Sequence, residues 1–377
     1  MGKKMGIKLG VGLGLALILI VLIGVKALLP YFIPVKIIQT WGNGAPTSRE
    51  EILYDFIQNH MTTDNGGIKT NYLNEKNDGD ITKGDSVLSE SEGLMLLYYL
   101  ERDDKEGFNK TFEYIKNNML LSNGLISWRV DGDKRSAVSA TIDDLRIIKA
   151  LIMGGEKWNN LKYRYYAIEM ANGVYRKLRT ENLLVDFNDG QTNSDKVTLC
   201  YIDLEALQYL NNIDFKWKSI RVESEKILNG GFISNKVPLY RKYYDIKTKK
   251  YDNDENVDML LNTIILLDKA EVGQNISESL NWIIDKFKTD GAIYVSYNDA
   301  TGEKTSDIQS TSIYANLLQI AEIENNKELY TLALRKLNAY QVLDKKSKLY
   351  GGYGDKKTMQ VYSFDNLNAL LAYRDVE

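Results

Sequence analysis

Hydrophobic residues recur every three to four positions along most of the chain, which is the spacing of one face of an α-helix. This spacing predicts a series of helices after residue 47, joined by short loops. Twelve helices are expected, over residues 48–60, 89–102, 105–119, 140–153, 160–179, 201–211, 216–228, 256–270, 277–289, 307–324, 326–341 and 364–373.

A second regularity lies in the loops. A turn followed by a short apolar stretch comes after each helix pair, about every 50 to 60 residues. The six turns are Gly66-Gly67-Ile68, Gly124-Leu125-Ile126, Leu183-Leu184-Val185, Gly231-Phe232-Ile233, Gly291-Ala292-Ile293 and Gly351-Gly352-Tyr353. Six paired-helix units predict an all-α (α/α)6 toroid with short β-hairpin loops, in which inner helices line the axis. An irregular helical bundle and an open solenoid are the alternatives. The long segment 229–254 is expected to form a hairpin at the mouth of the ring.

The amino-terminal segment has a different pattern. Lys3, Lys4 and Lys8 precede an uncharged apolar stretch over residues 9–25. Basic residues before such a stretch favour a cytoplasmic amino terminus. We therefore expect a cytoplasmic stub (1–8), a transmembrane signal anchor (9–29), a linker (30–46) and an extracytoplasmic ring domain (47–377), on a single-pass membrane protein. A cleaved signal peptide is the alternative; a lipoprotein anchor is excluded because no cysteine follows the stretch.

Composition narrows the chemistry. The net charge of -3 gives no basic excess for binding nucleic acid. With one cysteine, Cys200, and one histidine, His60, the chain cannot form an intrachain disulfide or a Cys/His zinc site. Cys200 lies in an apolar run and is interpreted as a buried thiol. No nucleotide loop is present, so no metal or organic cofactor is expected. Acid–base chemistry therefore falls mainly to the 51 carboxylates.

Carboxylates at two helix starts are candidates for that chemistry. Glu90 and Glu92 are two residues apart, so they point about 200° apart on a helix and only one can face the axis. Glu92 shares a face with Met95 and Leu96 and is predicted to point inward, whereas Glu90 is predicted to be solvated. The alternative role of Glu92 is to complete a capping box with Ser89. Asp143 and Asp144 open the next inner helix, and one of them is expected to look inward.

These two helix starts resemble glycoside hydrolase family 8. Ser91-Glu92-Gly93 with the following Leu94-Met95-Leu96-Leu97-Tyr98 is similar to the helix that carries the family's general acid. Ala140-Thr141-Ile142-Asp143-Asp144-Leu145 resembles the family's Ala-Thr-Asp-small-Asp signature, with Ile142 in place of the first Asp. The resemblance implies an inverting (α/α)6 enzyme with Glu92 as the proton donor. It also implies sugar contacts by Asp144, or by Asp143 in place of the missing acid, and by Tyr201, which Cys200 precedes where the family has serine.

The resemblance also suggests a catalytic base. In the family the base is an Asp in a Tyr-Asp pair before a later inner helix. Tyr251-Asp252 fits this position, although the arginine that usually follows is absent, and Tyr244-Asp245 is the alternative pair. An inverting enzyme needs its two carboxyl groups roughly 6.5–9.5 Å apart, with water between them.

Aromatic side chains with polar edges suit sugar binding. Trp128 and Tyr240 are expected on mouth loops, and Arg129 is expected to hydrogen-bond hydroxyls or an acidic group. The sequence thus predicts an endo-acting inverting hydrolase of a β-linked polysaccharide, either a β-1,4-glucan or a bacterial exopolysaccharide. Polysaccharide synthase machinery is a possible partner. A polysaccharide lyase on the same toroid and a non-catalytic carbohydrate-binding or matrix-assembly protein are the alternatives.

Overall fold

The computed structural model of the chain describes residues 24–26, 28–38, 44–74 and 84–376. The predicted basic stub, residues 1–8, and most of the predicted anchor, residues 9–29, lie outside these ranges. Within the described ranges, no helix has both the length and the apolar character that crossing a bilayer requires.

Twelve α-helices form between residues 48 and 372 in the described part of the chain. They are α1 (Ser48–Phe56), α2 (Ser89–Glu101), α3 (Lys105–Tyr114), α4 (Thr141–Lys157), α5 (Leu161–Lys177), α6 (Leu204–Ile213), α7 (Lys218–Gly230), α8 (Met259–Glu271), α9 (Ser277–Asp290), α10 (Thr311–Ile323), α11 (Lys327–Tyr340) and α12 (Ser363–Ala372). Short π-helical turns continue α1 and α3. Side-chain caps fix several starts; the Asp203 carboxylate, for example, accepts the amide of Ala206 at 2.7 Å.

The helices form two layers of a closed ring. The inner helices α2, α4, α6, α8, α10 and α12 contact one another in this order, and α12 returns to α2. Outer helices α3, α5, α7 and α11 each pack on an inner helix that is next to them in sequence, and α1 packs on α12. The closed cycle agrees with the predicted (α/α)6 toroid, and the helix–loop periodicity is the signal that predicted it.

Short antiparallel strands fill the loops at one end of the ring. They are β1 (Val87–Leu88), β2 (Arg129–Asp131), β3 (Lys134–Arg135), β4 (Arg179–Thr180), β5 (Leu183–Leu184), β6 (Lys196–Thr198), β7 (Tyr243–Asp245), β8 (Lys250–Tyr251), β9 (Asn256–Asp258) and β10 (Ser296–Asn298). They pair as β1-β2-β3, β4-β5, β6-β7-β8 and β9-β10. The predicted hairpin in 229–254 is confirmed as β7–β8. The helix predicted over 256–270 starts later, because residues 256–258 pair with β10 instead.

The two ends of the ring domain meet at a buried ion pair. The Arg374 guanidinium lies 3.1 Å from the Glu50 carboxylate, and both side chains are almost fully buried. Arg374 also donates to the backbone carbonyl of Gly44 at 2.9 Å. The carboxyl-terminal helix is thereby held against the first helix of the domain.

Candidate active site

Three carboxylates lie at the end of the ring where the inner helices begin. Glu90 is in the first turn of α2, Asp143 in the first turn of α4 and Asp365 in the first turn of α12. These three helices are neighbours in the ring, and the charges of Asp143 and Asp365 both act on Glu90. We call Glu90, Asp143 and Asp365 the mouth cluster.

Hydrogen bonds orient two members of the mouth cluster. Ser89 Oγ donates to Asp143 Oδ2 at 2.6 Å, and Arg146 Nη1 lies 3.0 Å from Asp143 Oδ1. Ser312 donates to Asp365 Oδ1 through its backbone N–H at 3.1 Å and through its hydroxyl at 2.7 Å. The Arg146 guanidinium is therefore paired directly with Asp143.

Glu90 is the member of the cluster that is suited to hold a proton. Burial raises the pKa of Glu90 to about 8; the Asp143 charge raises it further, Arg146 opposes, and Asp365 adds to the rise. A carboxyl with this pKa is largely protonated at pH 7 and can act as a general acid. The expectation that Glu90 is solvated is wrong, because its side chain is only partly exposed and lies among the acids of α4 and α12.

Glu92 points away from the mouth cluster. Its side chain is fully buried, and its Oε1 accepts the backbone N–H of Ile68 at 2.8 Å. Burial raises the pKa of Glu92 to about 8, and the Ile68 hydrogen bond opposes the rise. The capping-box alternative is wrong, because the Ser89 hydroxyl bonds to Asp143 and to the carbonyl of Trp128 instead.

The bond from Glu92 to a loop amide recurs around the ring. Asp144 Oδ1 accepts the N–H of Ile126 at 2.8 Å, so Asp144 is also a buried residue that holds a loop. In three other units the equivalent side chain both accepts the loop N–H and donates to the carbonyl of the same loop residue. These pairs are Asn262 with Tyr240, Tyr314 with Ile293, and Asn366 with Tyr353. Glu92 and Asp144 thus occupy the position that anchors the loops in the repeat.

Comparisons with known proteins agree with this architecture. The sequence profile described as glycosyl hydrolases family 8 matches residues 52–236. A structure described as a novel alpha-amylase from Clostridium perfringens shares 48% identity, with coverage of 87% of this chain and 97% of its own and a TM-score of 0.85. The chain belongs to glycoside hydrolase family 8.

This family 8 chain also has more distant relatives, one known by its structure and one by its sequence. The family 8 endoglucanase Cel10 from Klebsiella pneumoniae is 15% identical, with coverage of 86% of this chain and 99% of its own and a TM-score of 0.61. The putative lipoprotein YdaJ from Bacillus subtilis is 28% identical over 325 residues, which is 85% of each chain. The chain is therefore a glycosidase, and we do not retain the lyase and non-catalytic alternatives.

The carboxylate of the predicted base Asp252 forms hydrogen bonds with the backbone of its own hairpin. It is almost fully buried, and its Oδ2 accepts the backbone N–H groups of Lys242 at 2.6 Å and Tyr243 at 2.9 Å. The alternative base Asp245 accepts the amide of Thr248 at 2.8 Å in the β7–β8 turn, and this bond lowers the pKa of Asp245. Both carboxylates are thus hydrogen-bonded to the backbone of the loop that carries them.

An exposed acid lies beside Asp252. Asp258 ends β9 and caps α8, where its Oδ1 accepts the amide of Leu261 at 3.1 Å. Asp252, Asp258 and Tyr240 line one cavity of about 270 Å³. Since α2 and α8 are three positions apart in a ring of six, Asp258 lies across the axis from Glu90.

The region between the two sides of the mouth contains Tyr201. Burial raises the pKa of its phenol, and the charges of Cys200, Asp143, Asp186 and Glu90 add to the rise. The predicted sugar-binding Tyr201 therefore borders the mouth cluster. The thiol of Cys200 is buried, as the sequence indicated, and burial raises its pKa.

The other predicted sugar-binding side chains are held by the loops. Trp128 Nε1 donates to Ser136 Oγ at 3.1 Å, and the carbonyl of Trp128 accepts the amide of Ser89 at 3.0 Å. Arg129 pairs with Asp131 at 2.9 Å. Tyr240 is almost fully buried, with its ring 5.7 Å from that of Phe232. Trp128 thus lies next to the start of α2, whereas Tyr240 is mainly a core residue.

Sequence reasoning assigned Glu90 to solvent, and it did not single out Asp258 or Asp365. The structure supplies the missing reference points, because its loop-holding residues mark equivalent positions on the inner helices. Glu90 precedes Glu92 by two residues, Asp258 precedes Asn262 by four, and Asp365 directly precedes Asn366. Aligning the repeats on these positions places all three acids at the mouth.

Within the described part of the chain, one carboxylate group has the spacing of a metal site. Oxygens of Asp203, Asp268 and Glu271 lie within 4.8 Å of one another. However, Lys149 Nζ lies 3.1 Å from Asp203 and 3.0 Å from Glu271. This ammonium supplies the positive charge that a cation would bring, so we assign the group a structural role.

Proposed function

We propose that the chain is an endo-acting, inverting glycosidase in which Glu90 is the general acid. The observation that carries the proposal is the mouth cluster: a carboxyl with a pKa of about 8 at the open end of a helical ring. Such a group is protonated near neutral pH and can donate to the glycosidic oxygen as the bond breaks.

Glu90 meets the requirements of this role better than Glu92 does. Both have a raised pKa, but Glu92 is fully buried and its Oε1 is bonded to Ile68. A proton donor must come within hydrogen-bond distance of the substrate oxygen. Glu90 is partly exposed at the mouth, so a sugar chain that enters the ring can reach it.

We propose Asp258 as the base. The base must be ionised and must touch a water molecule on the opposite face of the sugar. Asp258 is exposed and lies across the ring from Glu90, whereas Asp252 is buried with two backbone bonds on one oxygen. In this proposal Asp252 supports the hairpin next to the base.

The proposed substrate is an α-linked glucan. The Clostridium perfringens protein described as an alpha-amylase is 48% identical over most of both chains, which makes it the relative most informative about linkage. The second candidate is a β-1,4-glucan, which membership of family 8 favours. Relatives named as endoglucanases or xylanases are only 12–15% identical, so their likeness supports the fold rather than the substrate.

A glycan panel tests the proposal. Amylose, soluble starch, carboxymethylcellulose, lichenan, xylan and chitosan are incubated with wild-type protein and with Glu90→Gln, and new reducing ends are measured. We expect wild-type cleavage of amylose and starch, with fresh product seen as the β-anomer by proton NMR because inversion converts an α-linkage. Cleavage of carboxymethylcellulose alone would select the second candidate. Cleavage of amylose with retention would contradict the proposed mechanism.

We also propose that residues 9–25 anchor the enzyme in the cell membrane, with the ring outside. The supporting observations are the uncharged apolar stretch and the three lysines before it. The Bacillus subtilis relative is described as a putative lipoprotein, but this chain has no cysteine near its apolar stretch. Retention of the full chain in membranes after alkaline carbonate extraction is the expected result, and release would contradict the anchor.

A further inference from the structure

The ring has two ends with different surfaces. The mouth cluster lies where the inner helices begin, so the other end is where they finish and the outer helices start. The inner helix α4 has 17 residues, which corresponds to a length of about 25 Å. We call the end away from the mouth the floor.

The segment that follows the apolar amino-terminal stretch is bound near the floor. The Tyr31 ring stacks on Tyr165 of α5 with centroids 5.8 Å apart, and its hydroxyl donates to Glu169 at 2.5 Å. Arg164 donates to the carbonyl of Ile33. Ile38 donates its N–H to the hydroxyl of Tyr209 on α6 at 3.0 Å. Residues 31–38, in the first half of the predicted linker (30–46), are therefore bound to the ring by side-chain and backbone contacts.

Exposed apolar side chains surround this docked segment. Leu28 is 59% exposed, Phe32 63%, Leu161 61% and Phe215 73%. Leu161 opens α5, and Phe215 lies in the turn between α6 and α7, where the inner helix α6 finishes. The Phe215 turn packs farther along α5 than Leu161 does, because Lys216 bonds to Asn172 at 2.7 Å and Trp217 packs on Tyr175. Leu29 and Tyr165 are also exposed. Pro30 and Tyr31 line one groove together with Asp214 and Lys216, which places the segment beside the Phe215 turn.

Lysines accompany these apolar side chains. Lys26, Lys162 and Lys218 are exposed, and the Lys218 ammonium lies 5.0 Å from the ring of Phe215. The acids around the docked segment have partners: Asp214 pairs with Lys216 at 3.1 Å, Glu113 pairs with Lys162 and Lys116, Glu156 pairs with Arg164 at 3.4 Å, and Glu169 accepts the Tyr31 hydroxyl. Exposed apolar groups with basic neighbours suit the headgroup region of an anionic bilayer.

We infer that the floor surface, formed by Leu28, Leu29, Phe32, Tyr165, Phe215 and Lys218, lies against an anionic phospholipid bilayer. The inference rests on the proposed anchor and deepens it, because it specifies the orientation of the ring relative to the membrane. The apolar stretch 9–25 ends immediately before Lys26, and the docked segment holds that point at the floor. The mouth then faces away from the lipid, toward polymer outside the cell.

Site-directed spin labelling of the full chain tests this orientation. Phe215→Cys places a label at the floor, and Phe187→Cys, between β5 and β6 at the mouth, is the matched control with an exposed Phe. The native Cys200 is buried, so the unmodified chain serves as the labelling blank. Each variant is reconstituted into vesicles of phosphatidylcholine and phosphatidylglycerol, and the accessibility of the nitroxide to oxygen and to a water-soluble nickel chelate is measured.

For each label we take the ratio of its accessibility to oxygen to its accessibility to the nickel chelate. We expect this ratio to be at least threefold higher at position 215 than at position 187. Equal accessibility at the two positions, in protein that resists carbonate extraction, would overturn the orientation and leave the anchor intact. Release by carbonate would overturn both. Dipolar broadening between labels at 215 would also overturn the inference, because it would show a second copy of the chain on this surface.

Discussion

The ring holds two groups of carboxylates that differ in how their charge is balanced. The mouth cluster has Glu90, Asp143 and Asp365, and its Arg146 pairs with Asp143. Deeper between the inner helices, Asp203, Glu205 and Glu271 surround Lys149, with Nζ–O distances of 3.1, 3.5 and 3.0 Å, and Asp268 lies beside them. We call these four acids and Lys149 the buried cluster.

The difference separates a functional group from a structural one. In the buried cluster one ammonium contacts three acids, and burial, opposed by Lys149, raises the pKa of Glu205 to about 8. All members of this cluster are largely closed to solvent. In the mouth cluster, Glu90 remains partly exposed and has no ion pair with a Lys or Arg side chain within the described ranges. A high pKa therefore indicates catalysis only where a substrate can also reach the proton.

The largest effect is expected from removing the proton of Glu90. Glu90→Gln should lower kcat by about 10²–10⁴-fold, because a general acid contributes that much to bond cleavage. Glu92→Gln is the matched control and should keep activity within a few-fold of wild type. Reducing-end release on the preferred glucan measures both. Full activity in Glu90→Gln together with a large loss in Glu92→Gln would restore the earlier assignment of Glu92.

Removing the cation of the buried cluster should mainly affect stability. Lys149→Met leaves several acids without their ammonium partner, and breaking a buried pair costs about 3–5 kcal/mol. Urea unfolding gives the loss. Lys226→Met removes an exposed pair with Glu223 and should cost less than about 1 kcal/mol. Similar losses in the two variants would contradict the structural role of Lys149.

A smaller effect is expected at Glu92. In the units held by Asn262 and Asn366, an amide satisfies both groups of the loop residue, whereas a carboxyl must be protonated to do the same. The pKa of Glu92 is about 8 in the folded protein, compared with the usual 4.5. Between pH 4.5 and pH 8, unfolding therefore releases a proton from Glu92. The stabilisation by Glu92 is therefore complete below about pH 4.5 and is lost as pH rises to about 8.

The Glu92→Gln variant tests this sign directly. Its amide oxygen can accept the Ile68 N–H at any pH without carrying a charge, so the melting temperature of the variant should exceed that of wild type by a margin that grows from pH 5 to pH 8. A margin corresponding to about 1–3 kcal/mol is expected for satisfying a buried polar group. Glu106→Gln, on the exposed face of α3, is the control and should show little dependence on pH. A constant margin would contradict a protonated Glu92.

The smallest effect concerns the pH profile. The Asp143 charge contributes to the raised pKa of Glu90, so Asp143→Asn should lower that pKa. Activity that needs a protonated Glu90 should then decline at lower pH than in wild type. Asp131→Asn, on the neighbouring strand, should leave the alkaline limb of kcat unchanged. A limb that moves upward in Asp143→Asn would contradict the proposed coupling.

The architecture was predictable from the sequence, but the position of the proposed acid was not. Helical periodicity and six recurring turns are local signals, and they led to the correct ring. Glu90 and Glu92, by contrast, differ only in which way they point. The helix α2 is buried on almost every side, so its hydrophobic pattern contains no preferred inner face that could orient them.

The proposed base, Asp258, was also difficult to identify from the sequence. The acidic run from Asp252 to Asp258 offers several carboxylates, and sequence spacing assigned its last residues to a helix. Residues 256–258 form β9 and pair with β10, so Asp258 becomes an exposed cap of α8 at the mouth. Pairing between strands almost forty residues apart cannot be read from a local pattern.

The junction between Arg374 and Glu50 links closure of the ring to the geometry of the mouth. Helix α12 completes the ring by packing on both α2 and α10, and it also carries Asp365. Because the ion pair clamps the end of α12 against α1, loosening this clamp would displace one acid of the mouth cluster while α2 and α4 keep the other two in place.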